Sequence, residues 1–139
     1  MERRYVVFRI GNSSYGIPIE QVQEITRIGS ITPLPQSPPA VLGATNLRGT
    51  VVTVVSGHKL LDRQEDYDSD QVVFLKANQR LFGLLVDEAE EVLAINESEI
   101  EVPYLFGHEK IFGSSGGIGK VRDRLIVLCD ADVLLNQIA

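Results

Sequence analysis

Two halves of the chain repeat one another, and this restricts the fold more than any single motif does. Val72-Val-Phe74 answers Val6-Val-Phe8, Phe82-Gly-Leu-Leu-Val-Asp87 answers Tyr15-Gly-Ile-Pro-Ile-Glu20, and Glu91-Val92 answers Glu24-Ile25. Further on, the run from Arg124 to Leu135 lines up with that from Thr50 to Leu61, and Arg122 stands where Arg48 stands. The offset is 66 at the start and 74 at the end, which puts the insertions in loops. Each copy reads as short strands with one helical turn. A unit of that size has a marginal core of its own. Two similar small β-units that fold as one body are therefore expected, with a groove where they meet. The 139 residues then make one domain, with halves at approximately 1–66 and 67–139.

Local patterns fill in the copies. Tyr5 to Ile10 predicts a strand with Val6, Phe8 and Ile10 on one face; Gly11 to Ser14 is a hairpin turn and Tyr15 to Ile19 the returning strand. Ile19, Val22 and Ile25 recur at a spacing of three, which allows a short helical turn before another extended piece. Thr32 to Pro39 holds four prolines and excludes regular structure; its Pro35-Gln-Ser-Pro38 reads as part of a stiff surface connection. Val51 to Val55 is rich in β-branched residues and predicts a strand. Asn46 and Gly49 tolerate the left-handed backbone that a tight entry to that strand demands. Arg48 lies between two apolar runs. Its guanidinium either pins the turn, through backbone carbonyls or a carboxylate, or presents a charge at the edge of an apolar surface. Asp62 to Asp70 is mostly acidic, without periodicity, and reads as a solvated loop between the halves.

Charge and composition narrow the function. A net charge of −6 argues against a nucleic-acid partner, whose phosphates select basic surfaces. No apolar run is long enough to span a bilayer, so direct membrane insertion is not expected. Arg9 interrupts the first apolar stretch and no small-residue cleavage site follows, unlike a signal peptide. The single cysteine, Cys129, sits in an apolar run and reads as a core residue. A cytoplasmic domain in a reducing compartment is expected.

Catalytic patterns are weak. The run from Phe112 to Lys120 is glycine-rich, but Val121 stands where a phosphate loop needs Ser or Thr, so it reads as a flexible loop before the last strand. Asp130 and Asp132 read most simply as a helix cap and a first-turn acid, and Asp87, Glu88, Glu90 and Glu91 as a solvated face. No catalytic residue, cofactor or metal site is assigned. A competing class, a small-molecule or metal-binding regulator using the groove, would draw on Asp130, Asp132 and His108.

Three runs carry a family resemblance: Tyr15 to Ile25, Ile31 to Pro35 with Pro38, and Val41 to Gly49 with its Asn46-Leu-Arg-Gly49 turn. Phe82 to Asp87, Ile118 to Lys120 and Arg124 to Asp130 with Leu134-Leu135 agree in the second half. The chain resembles the CheW-like domains over nearly its whole length. The resemblance implies two five-stranded SH3-like barrels. It also implies a non-enzymatic adaptor that joins the cytoplasmic tip of a methyl-accepting chemoreceptor to the regulatory domain of a CheA-type histidine kinase, in arrays at the membrane. Carried onto this chain, the partner-contact residues are Val22, Glu24, Gly43, Asn46, Arg48 and Gly49. Val22 is open between core and interface, and Glu24 is expected to be exposed. The groove between barrels would take one apolar face of a receptor helix.

The chain departs from the family pattern at the strand Val51 to Val55: where the family carries Pro, then a hydrophobic residue, then Asp-Leu, this chain has Thr53 and Val55-Ser56-Gly57-His58, with Ser56 in place of the acid. That change is expected to weaken the helix cap and loosen the segment to Leu61. It leaves open an adaptor specialised for a pilus-type or other chemosensory system.

Overall fold

The computed structural model describes residues 1–61, 70–102 and 116–138. In chain order the elements are β1 (Glu2–Ile10), β2 (Ser13–Pro18), β3 (Val22–Arg27), β4 (Val41–Leu47), β5 (Thr50–Ser56) and α1 (Gly57–Leu60). Then come β6 (Gln71–Ala77), β7 (Arg80–Val86), β8 (Glu88–Asn96), β9 (Ile100–Glu101), β10 (Gly117–Val121), β11 (Arg124–Leu128) and α2 (Ala131–Ile138). Single 3₁₀ turns at Ile19–Gln21 and Glu97–Glu99 link β2 to β3 and β8 to β9. The protein is mostly β, in two sheets that form SH3-like barrels. One sheet runs β8-β1-β2-β11-β10-β9 and the other β3-β6-β7-β5-β4.

These sheets do not follow the halves of the chain. Hairpin β1–β2 sits among strands of the second copy, and hairpin β6–β7 among strands of the first. The boundary at about residue 66 therefore divides the repeat but not the barrels. The links explain why. Between β7 and β8 stands Asp87 alone, too short for a hairpin, so the strand bends and runs on into the other sheet. The 3₁₀ turn at Ile19–Gln21 does the same between β2 and β3. Parallel pairings join each guest hairpin to its host: Gly16 faces Leu128 across β2 and β11, and Gly83 faces Val54 across β7 and β5.

The repeat is exact in backbone register, at an offset one residue larger than the Val-Val-Phe likeness suggests. Val7 faces Gly16 in the first hairpin and Phe74 faces Gly83 in the second, an offset of 67. A slip of one residue exchanges the two faces of a strand. Faces here are defined by burial on both sides. Phe8 and Ile10 of β1, with Leu75 and Ala77 of β6, enter a central cluster shared by the two barrels. Tyr5 and Val7 point into one barrel, and Val72 and Phe74 into the other. The expected single apolar face of β1 is thus two buried faces, as its nearly continuous apolar sequence allows.

The central cluster also takes Tyr15, Ile17, Val55, Phe82, Leu84, Val86, Cys129 and Leu134. Burial pushes the Cys129 thiol up to about 12, so it stays a neutral core group. Thr32 to Pro39 is irregular except for a bridge from Thr32 to Ala44, which occupies the outer edge of β4. Strand β9 plays the same part for β10, and this short strand makes one sheet six-stranded and the other five. The glycine-rich run differs from expectation in its described part, since Gly117 to Lys120 are ladder residues of β10. Residues 62–69 of the acidic stretch, and His108, lie outside the described residues.

Candidate functional site

Asn46, Leu47, Arg48 and Gly49 turn the chain from β4 into β5. Asn46 Oδ1 accepts a 2.8 Å hydrogen bond from the Gly49 amide, which closes the turn. Arg48 adopts φ 51° and Gly49 φ 90°. A non-glycine residue at positive φ is uncommon and needs support. Arg48 finds it in Glu24: its Nε donates to Oε1 at 2.8 Å and its Nη2 to Oε2 at 3.2 Å. This is a two-pronged guanidinium–carboxylate pair, the geometry that suits arginine and not lysine.

The pair spans the sheet. Strands β3 and β4 are its two edges, so Glu24 on one edge grips the turn that follows the other and helps to close the barrel. Arg48 both pins the turn and presents charge, because its side chain is 79% exposed while that of Glu24 is 21% exposed. Glu24 is therefore half-buried, not exposed as expected. Hydrogen bonds from Arg48 hold the Glu24 carboxyl below its ordinary range and raise the guanidinium's own pKa.

Gly43 supports the same turn from within. It adopts φ 151°, and a Cβ there would lie 2.3 Å from the Thr32 carbonyl oxygen. Only glycine lets the Thr32 segment lie on β4. Gly117 repeats the device in the second copy, with φ 153° and a Cβ position 2.8 Å from the Glu101 oxygen. Gly43 is thus structural, one step behind the surface. Val22 packs half-buried against the central cluster and is a core residue at the surface margin. The structure brings Glu24, Asn46, Arg48 and Gly49 together and sets Val22 and Gly43 beneath the surface.

The second copy does not duplicate the ion pair. Arg122 keeps φ 57°, but Glu91, the counterpart of Glu24, pairs with Arg124, which also reaches Glu90 at 3.0 Å and Ser14 Oγ at 3.2 Å.

Exposed apolar residues beside the turn were not assigned a contact role from sequence. Val51, paired across the hairpin with Asn46, is 79% exposed, and Leu125 occupies the matching place in the second copy. Alternation was the available signal, since Val52 and Val54 face the core and leave Val51 outward. Ile25 and Val92, which correspond at the offset of 67, are also exposed. With Val6 and Ala89 they line a shallow depression of about 160 Å³, flanked by Glu90 and Glu91. The central cluster packs between the barrels, and this depression is the candidate for the expected groove.

Ser56 and Gly57 do not loosen their segment. Ser56 Oγ accepts from the Lys59 amide at 3.2 Å and caps α1, a role serine fills as well as aspartate. A Cβ on Gly57 would meet the Leu85 oxygen at 2.5 Å, so glycine allows α1 to press against β7. Asp130 has the corresponding task at α2, where its Oδ1 accepts from the Asp132 amide at 3.0 Å. No group of three metal-ligating side chains occurs among the described residues, and no described helix is long and apolar enough to cross a membrane. A metal-binding regulator built on Asp130 and Asp132 is not favoured.

Two interlocked SH3-like barrels with an exposed, ion-paired turn and a shallow apolar depression define a protein that works by contact. The chain belongs to the CheW-like domain family, whose model matches residues 4–139. It is 31% identical over 137 residues to chemotaxis protein CheW of Klebsiella aerogenes, covering 97% of this chain and 82% of that protein. The Bacillus subtilis chemotaxis protein CheW is 29% identical over 136 residues, covering 96% and 87%. Among solved structures, the scaffolding protein TtCheW from Thermoanaerobacter tengcongensis superposes with a TM-score of 0.87 at 28% identity, covering 96% and 92%. The chain is accordingly a chemotaxis adaptor or scaffold.

Proposed function

We propose that this adaptor acts without catalysis, in the cytoplasm, by holding a chemoreceptor tip and the regulatory domain of a CheA-type kinase together. The observation that carries the reading is the Glu24–Arg48 pair. It fixes an exposed cation on a rigid turn beside exposed Val51, with no cluster of potential metal ligands among the described residues. Arginine is among the side chains enriched at binding hot spots. The depression lined by Ile25 and Val92 offers the receptor helix an apolar seat. An adaptor of this kind couples kinase activity to receptor state through differential affinity alone.

The test is a calorimetric titration against the isolated kinase regulatory domain from the same genome, at moderate salt. Micromolar binding is expected, weakened about tenfold or more by Arg48→Ala with the fold intact. Full binding and ternary-complex formation by a folded Arg48→Ala protein would remove the turn from the interface. No binding by the parent chain would refute the kinase partner.

A further inference from the structure

One buried histidine stands where the two barrels are joined. His58 is 2% exposed and is the one histidine among the described residues. Its Nε2 lies 2.9 Å from Asp87 Oδ1. A carboxylate only accepts, so Nε2 carries a proton. Asp87 is the single residue linking β7 of the five-stranded sheet to β8 of the six-stranded sheet. Its other oxygen accepts from the Gly11 amide at 2.7 Å and lies 3.6 Å from Arg9 Nη1, both in the six-stranded sheet's first hairpin. Asp87 is thus not part of the expected solvated face: its side chain is 12% exposed, and one carboxylate holds the imidazole of one barrel and the β1–β2 turn of the other.

The matching place in the second copy is built differently. There Gln21 bonds Asp130 at 3.3 Å and accepts from the Ala131 amide at 2.8 Å, while Glu20, the counterpart of Asp87, pairs with Arg3. Asp132 occupies the position that corresponds to His58 at the offset of 74. Histidine is the side chain whose ordinary titration falls between pH 5 and 8. Among the described residues, only one of the two joints holds such a group.

We propose that the His58–Asp87 contact is a proton-sensitive joint that sets how the β8 wall of the apolar depression sits against the other barrel. Proton uptake adds a positive charge to a ring already bonded to a carboxylate, which turns the hydrogen bond into an ion pair and strengthens it. The imidazolium then competes with Arg9 and the Gly11 amide for the same carboxylate. Asp87 runs directly into Glu88 and Ala89, and Ala89 to Val92 line the depression. A shift of the carboxylate thus reaches that wall within two residues.

The charged groups around the contact, among the described residues, are these. Arg9 lies on β1 and pairs with Glu88 of β8 at 3.5 Å. Strand β5 carries no titratable group; β7 has only Arg80, at its far end, and α2 only Asp132. Lys59, on α1 itself, is exposed.

This inference deepens the adaptor reading, as regulation of its proposed receptor seat, but its test uses the free protein. Imidazole and backbone amide signals are followed by NMR from pH 5 to 8, in the parent chain and in His108→Gln and His58→Gln. The expected result is that Ile25 and Ala89 to Val92 amides shift with the midpoint of the His58 ring. They keep that shift in His108→Gln and lose it in His58→Gln, which retains a donor to Asp87. Amides that stay still over this range in the parent chain would overturn the joint, as would a shift unchanged in a folded His58→Gln. If His58→Gln does not fold, co-titration with the His58 ring in the parent and His108→Gln chains decides alone. Receptor binding that fails at every pH would refute the adaptor reading without touching this result.

Discussion

At Arg48 a strained backbone, an ion pair and an exposed surface coincide in one residue. Glu24 stabilises the positive φ by holding the guanidinium from the opposite edge strand of the sheet. The pair is exposed enough that solvent screens it, so its value lies in geometry more than in stability. Its electrostatic signature is nonetheless measurable. Glu24 starts from an ordinary value of 4.5 and is held below it in the fold, chiefly by the hydrogen bonds from Arg48. A carboxyl lowered in this way contributes stability above its unfolded pKa and loses it as pH falls through the folded value. The difference in stability between the parent chain and Arg48→Ala should therefore be constant near neutral pH and shrink in acid, below the ordinary carboxylate range. Carbon-13 NMR of the Glu24 carboxyl reads this directly, with its midpoint moving up in Arg48→Ala. An unchanged midpoint would mean that the two side chains do not pair in solution.

Among the elements, strand β4 shows best how one glycine holds a turn at a distance. Gly43→Ala puts a methyl group 2.3 Å from the Thr32 oxygen at φ 151°, whereas Gly49 at φ 90° has open space around it. Gly43→Ala should therefore cost at least about 2 kcal/mol in denaturant unfolding, through strain and a displaced Thr32 segment. Gly49→Ala pays only the backbone term, about 1 kcal/mol. Equal costs would show that the Thr32 segment yields easily. Strand existence and the Asn46 to Gly49 turn were legible in the sequence, because β-branched runs and left-handed residues carry their own geometry. Register was not. Val6-Val-Phe8 and Val72-Val-Phe74 are alike as letters, but with both strand faces buried no polar residue marks which face is which. The exchange of hairpins was hidden for another reason, since it depends on how a link as short as Asp87 bends. The Glu24–Arg48 partnership, 24 residues apart, emerged only when both sheet edges were in place.

For the molecule as a whole, the exchanged hairpins remove any independent half. Residues 1–61 supply β1 and β2 to one barrel and β3, β4 and β5 to the other, and neither sheet is complete without strands from beyond residue 70. The central cluster draws on both copies, from Phe8 and Tyr15 to Leu84 and Leu134. Each half alone would therefore expose the faces it buries against the other. Thermal or denaturant unfolding should be a single transition, coincident by circular dichroism and calorimetry. Cys129 provides a second readout. Buried at the centre with its thiol pushed up to about 12, it should resist thiol reagents at pH 8 until the whole molecule opens. The chain divided between residues 61 and 70 should give two pieces that are unfolded apart and regain β structure and Cys129 protection when mixed. A piece that folds alone, or a cysteine that reacts well below the transition, would show that one barrel stands without its guest hairpin. The shared core would then not link the depression by Ile25 and Val92 to the turn at Arg48, and each surface would have to act by itself.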